Sequence, residues 1–330
     1  MADRSSRITE FARRHVRLSA AAIAVVLVAG VVVGLAISGV LGRAHAGVLT
    51  YCAPTPSKCG FPDATNTGPP AGATLQTVPG QVSSGLGWKF SSYYHEVDVT
   101  GNGAVLTGLY IPYPLNITAS NVTVNAVKVI ASGTFGVTLR HTTGVTIENS
   151  IISGQNATSG RVSNALDDVY GDSTGMVIKN NNISYYRTAI AVTTGVITGN
   201  YIHNPGYVYG DHTNGIFDNG STQQLTISGN TIFNSLGQTD AISLNTTAGG
   251  QVANKTVTGN LIAGGGYAIY GGASLGNANS NIDITNNDFG QLYYPRSGQY
   301  GAVAYFNSSA SGSSWSGNTW DSTGATVPAP

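Results

Sequence analysis

Six carboxylates of this 330-residue chain fall in one stretch, at Asp167, Asp168, Asp172, Asp211, Asp218 and Asp240. The same stretch carries Arg187, His203, Tyr207, His212 and Asn214, the densest set of groups that transfer protons or bind hydroxyls. Two carboxyl groups at a fixed separation can split a glycosidic bond. One, kept protonated, gives its proton to the leaving oxygen, while its ionised partner activates water or attacks carbon. Asp211, Asp218 and Asp240 are the candidate acid and base, with His212 beside them; Arg187, Asn214, Tyr207, Tyr267 and Asp168 are candidates to bind a substrate. Asp211 and His212 stand out, since a loop needing only to turn would not require an imidazole. Asp168 and Asp218 could equally end their strands and cap turns.

These groups must be positioned by a repeat. Short units of alternating Val or Ile centre on Asn149, Asn181, Asn200, Asn230, Asn260, Asn287 and Asn318, spaced 32, 19, 30, 30, 27 and 31 residues apart. The alternation is that of a strand with one buried face, and the asparagine, often preceded by glycine, falls where a tight bend is needed. Units this short bury apolar surface only by stacking on copies of themselves, which gives a parallel β-solenoid with coils about 4.8 Å apart. The stacked asparagines then form a ladder along the axis. A second strand follows, opening on a small residue at Ala165, Ala189, Gly215, Ala241, Ala268 and Ala302, which marks a corner where the backbone bends or a ligand approaches.

Aligning these second strands puts Asn164, Thr188, Asn214, Asp240 and Tyr267 in one column, and Asp168 and Asp218 in another, two coils apart around Val192. Carboxylates one coil apart are separated by about 5 Å and those two apart by about 9 to 10 Å, near the separations of retaining and inverting glycosidases. Tyrosine supplies 17 of the aromatic residues, many in the middle and C-terminal coils, and its ring and hydroxyl suit a sugar.

Over residues 99–321 the repeat resembles the right-handed parallel β-helix family of secreted, pectate-lyase-like proteins. Residues 60–75, together with Gly210-Asp-His-Thr-Asn-Gly215 and Gln238-Thr-Asp-Ala241, look like segments of exported actinobacterial β-helix proteins. The resemblance implies an all-β fold and a carbohydrate polymer lying along the solenoid, cleaved by side chains of neighbouring coils. Hydrolysis there requires no cofactor. The alternative is a lyase, in which acids bind Ca²⁺ bridging a uronate and Arg187 or His212 removes the α-proton. A third reading, from another class, is a non-catalytic wall- or sugar-binding β-helix.

Residues 1–46 read as an export signal: arginines flank an apolar run over 18–41, followed by Ala44-His45-Ala46. Left uncleaved, the run is long enough to anchor the chain in a membrane. Residues 47–98 are expected to form an N-terminal extension and solenoid cap, 99–321 the β-helix and 322–330 a tail. Cys52 and Cys59 are expected to close a disulfide loop at the N-terminal end, as an oxidising compartment permits. Beyond residue 46, nine basic residues face thirteen acidic ones. This acidic balance argues against nucleic acid as a partner. The expected protein is an extracellular monomer whose partner is a polysaccharide.

Overall fold

Each asparagine-centred unit breaks at its bend into two short strands, and a third strand closes the coil. This arrangement comes from a computed structural model that describes residues 51–218, 220–245, 250–273 and 278–330; the expected signal segment lies outside them. One coil, for example, runs through Thr146–Glu148, Ile151–Gly154 and Val162–Asp168, and the next through Val177–Lys179, Asn182–Ser184 and Tyr186–Ala191. Among the described residues, stacking such coils builds three sheets of nine, ten and eleven strands, a parallel β-helix with almost no helical structure. Inside it, apolar side chains stack in register, as in Ile178, Ile197 and Ile227, or Ile190, Ile216, Ile242 and Ile269. All seven are fully buried or nearly so.

The bend uses two residues with separate tasks. The first takes left-handed backbone, at Asn149, Asn180, Gly199, Gly229, Gly259, Asn286 and Gly317, where φ lies between 48° and 67°. Glycine and asparagine tolerate that conformation best. The second turns its side chain inward and forms the ladder: Ser150, Asn181, Asn200, Asn230, Asn260, Asn287 and Asn318, all buried. Asn149 is therefore not a rung, as the spacing implied. It belongs to a neighbouring column, donating to Asn125 Oδ1 at 2.9 Å, and Ser150 takes its place in the ladder.

Each rung is fully satisfied. Asn200 donates both its backbone N–H and its Nδ2 to Asn230 Oδ1 at 2.9 Å, and Asn230 Nδ2 donates onward to Asn260 Oδ1 at 2.9 Å and to Ile197 O at 3.0 Å. Replacing Asn230 by Ala strands the buried backbone N–H of Asn200, whose Nδ2 keeps the carbonyls of Ile178 and Thr198, so a loss of about 1 to 3 kcal/mol is expected. Thermal melting of the variant checks this; an unchanged midpoint would show that the ladder is ornamental.

The small residues opening the third strands face inward. Ala165, Ala189, Ala241 and Ala268 are fully buried, and a Cβ added to Gly215 would lie 2.4 Å from the carbonyl oxygen of Ala241. Their size lets the coils close on one another at the corner.

The N-terminal segment departs from expectation. Strand pairing begins at Gln76–Thr77, and an antiparallel meander of Ser84–Gly85, Trp88–Ser91 and Glu96–Val99 precedes the first complete coil. Cys52 and Cys59 are joined by a disulfide. That loop lies at the C-terminal end of the solenoid, not the N-terminal one: the backbone N–H groups of Cys52 and Ala53 donate to Asp321 at 2.9 and 2.8 Å. Cys52 and Ala53 pack with Phe233, Leu261 and Ala263. The chain then runs back along the ten-stranded sheet, where Gly68 N–H donates to Asn180 O. The tail covers the last coil through Val327, whose carbonyl accepts from Trp315 Nε1 at 2.9 Å.

Candidate functional site

The outer face of the eleven-stranded sheet carries the column expected from the repeat. Asn164 pairs in register with Thr188, Thr188 with Asn214, Asn214 with Asp240 and Asp240 with Tyr267. Beyond the small residue the alternation slips, because Ala165 and Leu166 are both buried, and a second outward column forms from Asp167, Ala191, Phe217, Ser243 and Tyr270. Between the columns lies a cavity of about 600 Å³ lined by Asn164, Asp167, Asp168, Tyr170, Arg187, Thr188, His212, Asn214, Asp240, Ser243 and Tyr270, among others.

At one end of the cavity Arg187 Nη2 donates to Asn164 Oδ1 at 3.2 Å, and Asn164 Nδ2 donates to Asp167 Oδ2 at 2.7 Å. Arg187 Nε is buried without a partner. Burial pushes the Asp167 carboxyl up from the usual carboxylate range, against the bond from Asn164 and the nearby Arg140 and Arg187. Asp167 reads from the sequence as a turn former; the slipped alternation is the signal that turns it outward. Asp168 also borders the cavity, but its oxygens accept the backbone N–H of Ser173 at 3.1 and 3.4 Å, the turn-capping alternative.

Asp240 lies in the cavity wall with no solvent exposure. Desolvation pushes its carboxyl well above the usual range, only partly offset by a hydrogen bond from Ser243. The Asn214 amide stands 3.1 and 3.2 Å from its two oxygens. That amide can donate N–H to the ionised form or accept O–H from the neutral one, so the neutral acid keeps a partner.

Asp211 and His212 share a loop but not a role. Asp211 grips Arg161, accepting from Nε at 2.5 Å and from Nη2 at 2.6 Å, and its Oδ2 also accepts the Val208 N–H. With the Asp211 side chain only 10% exposed, this ion pair ties the loop to the strand Val162–Asp168 two coils back. Asp211 therefore anchors the loop, which leaves His212 exposed at the cavity rim. Arg161 was missed from sequence because it lies fifty residues from Asp211. Replacing Arg161 by Met is expected to loosen the loop without unfolding the solenoid. Faster amide hydrogen exchange over residues 204–213, with little change in the melting midpoint, would report this; uniform protection would contradict it.

Asp218 does not face the cavity. It is fully buried, 3.1 Å from Lys255 Nζ, and its Oδ1 accepts the Gly220 N–H at 3.1 Å. Lys255 Nζ also donates to Thr193 O, Ser221 Oγ and Gln223 O within 3.0 Å. This pair is internal to the solenoid. Asp168 and Asp218 thus form no carboxylate pair across the groove. Tyr207 is not among the cavity-lining residues; its backbone N–H donates to Ala157 O. His203 stacks on Tyr201 with its Nε2 at 2.9 Å from Asn182 Oδ1, and burial lowers it to about 4. Tyr267 keeps its place in the column, its ring 5.8 Å from that of Tyr270. Among the described residues no group of three or more His, Cys, Asp or Glu side chains converges on a metal position.

No protein-family model matches the sequence, nor does any curated protein. Two solved structures are similar in course. The Dettilon tailspike protein aligns with a TM-score of 0.46 and 16% identity over 67% of this chain and 52% of that one. Pectate lyase Pel9A aligns with a TM-score of 0.37 and 14% identity over 70% of this chain and 62% of that one. The chain thus spans about half to three fifths of the length of these proteins, and at this similarity they say nothing of its substrate.

Proposed function

We propose that this protein is an extracellular glycoside hydrolase acting on a polysaccharide laid along the eleven-stranded sheet, with Asp240 as proton donor and His212 as the group that activates water. The supporting observation is the Asp240 carboxyl, buried in the wall of the roughly 600 Å³ cavity, where desolvation pushes it well above the usual carboxylate range. A neutral acid at ordinary pH is what protonation of a leaving oxygen requires. His212 lies on the loop that leads into Asn214, whose register partner is Asp240, so donor and base belong to neighbouring coils and line the same cavity. An imidazole is suited to taking a proton from water near neutral pH.

The Asp240 carboxyl lies beneath the cavity surface, and delivering its proton requires a side-chain rotation past Asn214 as substrate enters. The glycosidic oxygen then takes the Asp240 proton as the C–O bond breaks. Water, losing a proton to His212, adds to the anomeric carbon. Asp211 and Arg161 hold the loop that carries His212.

A second reading, β-elimination from a uronate polymer, is favoured by Arg187, a cation lining the cavity whose Nη2 holds Asn164 while its buried Nε has no partner. Calcium, if used, belongs to this reading. Mass spectrometry of soluble products from neutral and uronic-acid polysaccharides, with and without calcium, separates the two. Fragments that gained water support hydrolysis; an unsaturated end, one water lighter, overturns it in favour of elimination. Absence of fragments from every polymer would leave a binding role.

A further inference from the structure

At the far end of the same face, beyond Asp240, four tyrosine rings form one continuous patch. Tyr267 and Tyr270 have ring centroids 5.8 Å apart, Tyr267 and Tyr300 are 5.9 Å apart, and Tyr270 and Tyr305 are 5.5 Å apart. Tyr300 and Tyr305 are both 55% exposed, so the patch is not a packed core. Its neighbours leave it open. Gly301 is in register with Tyr267, and an added Cβ there would lie 3.2 Å from the Tyr267 ring; one on Gly266 would lie 3.4 Å from the Tyr300 ring. Tyr305 sits in left-handed backbone, φ 57°, an unfavourable conformation for a bulky side chain. The cation–ring contacts among the described residues lie elsewhere, at Tyr110, Phe135 and Tyr170.

From these observations we infer that Tyr267, Tyr270, Tyr300 and Tyr305 form a second binding site, a stacking platform for uncharged sugar rings on the polymer that Asp240 cleaves. This inference rests on the groove assigned under the proposed function, and it narrows the substrate. Aromatic faces attract the C–H faces of neutral pyranoses, whereas nothing in the patch balances a carboxylate. Tyr267 is one coil from Asp240 and the Gly301–Ala304 strand two, so the platform reaches about 10 Å beyond the donor, roughly two sugar units. The protein then grips a chain to one side of the scissile bond.

Affinity electrophoresis tests this with galactomannan, xylan, mixed-linkage glucan and polygalacturonate as probes, all on an Asp240→Asn background to prevent cleavage. The expected result is retardation by at least one neutral polymer. Tyr300→Ala and Tyr305→Ala should each weaken it by about tenfold, and Tyr300→Phe and Tyr305→Phe should retain it within about twofold, because the ring and not the hydroxyl does the stacking. Retardation by polygalacturonate alone, by no polymer, or undiminished in the Ala variants overturns the platform. Equal loss in the Phe and Ala variants overturns it too. Cleavage is read separately on the unmodified protein, so a missing reaction with intact retardation counts against the hydrolase alone.

Discussion

Asp240→Asn is expected to lower the rate of glycosidic cleavage by about 10²- to 10⁴-fold, the range that general acid catalysis commonly supplies. The variant is informative because it preserves shape. The native carboxyl is fully buried and desolvation favours its neutral form, so an amide of nearly the same size fits its place and Asn214 keeps a polar partner. The linkage sign gives a second readout. A carboxyl whose folded pKa is raised above its unfolded value contributes stability that is present below the unfolded pKa of about 4 and lost as pH rises through the folded value. Asp240→Asn lacks that loss, so it should melt higher than the native protein at neutral pH, with the gap closing towards pH 4. Lost activity with gained stability marks a group retained for chemistry. Undiminished cleavage by the variant, followed by the appearance of reducing ends, would remove Asp240 from the mechanism.

The second large effect concerns the interior. Asp218→Asn leaves the Lys255 ammonium buried without its counter-charge and is expected to cost about 3 to 5 kcal/mol, the usual penalty for breaking an internal ion pair. For a solenoid of this size the melting midpoint should fall by roughly 5 to 15 °C. Lys255→Met should behave differently with pH. Burial raises the Asp218 carboxyl to about 6 even with Lys255 opposing the shift. Its contribution to stability is therefore present below about pH 4 and lost as pH rises through 6. Without the lysine the lone carboxyl takes up a proton more readily, and Lys255→Met should be damaged less at pH 5 than at pH 7.5. Replacing both partners, Asp218→Leu with Lys255→Met, should recover much of the loss, since a buried pair is weak support once desolvation is counted. A midpoint unchanged by Asp218→Asn would show that the pair carries no stability. Lys255 Nζ also holds the carbonyl of Thr193, which lines the cavity, so the pair braces the wall of the site as well as the core.

The column from Asn164 to Tyr267 and the place of Asp240 in it were legible because parallel stacking allows one register: a slip by a single residue would turn every buried isoleucine to solvent. The asparagine bends were legible too, since left-handed backbone admits few residue types, although the rung proved to be the second residue of the bend. The direction of Asp218 was not. It ends a strand, where alternation no longer dictates which way a side chain points, and its partner Lys255 comes from a later coil. Asp211 gave up its expected chemical role to an arginine fifty residues earlier, and the disulfide loop found its seat on Asp321, 269 residues away.

By itself, then, the order of residues determined the repeat, the stacking register and the outward column from Asn164 to Tyr267, because those follow from local periodicity and from burying one face. Tertiary structure alone decided which of the acidic residues remain available for chemistry. A carboxylate's state depends on the charges and donors that distant coils bring within about 3 Å, and no spacing along the chain encodes that distance.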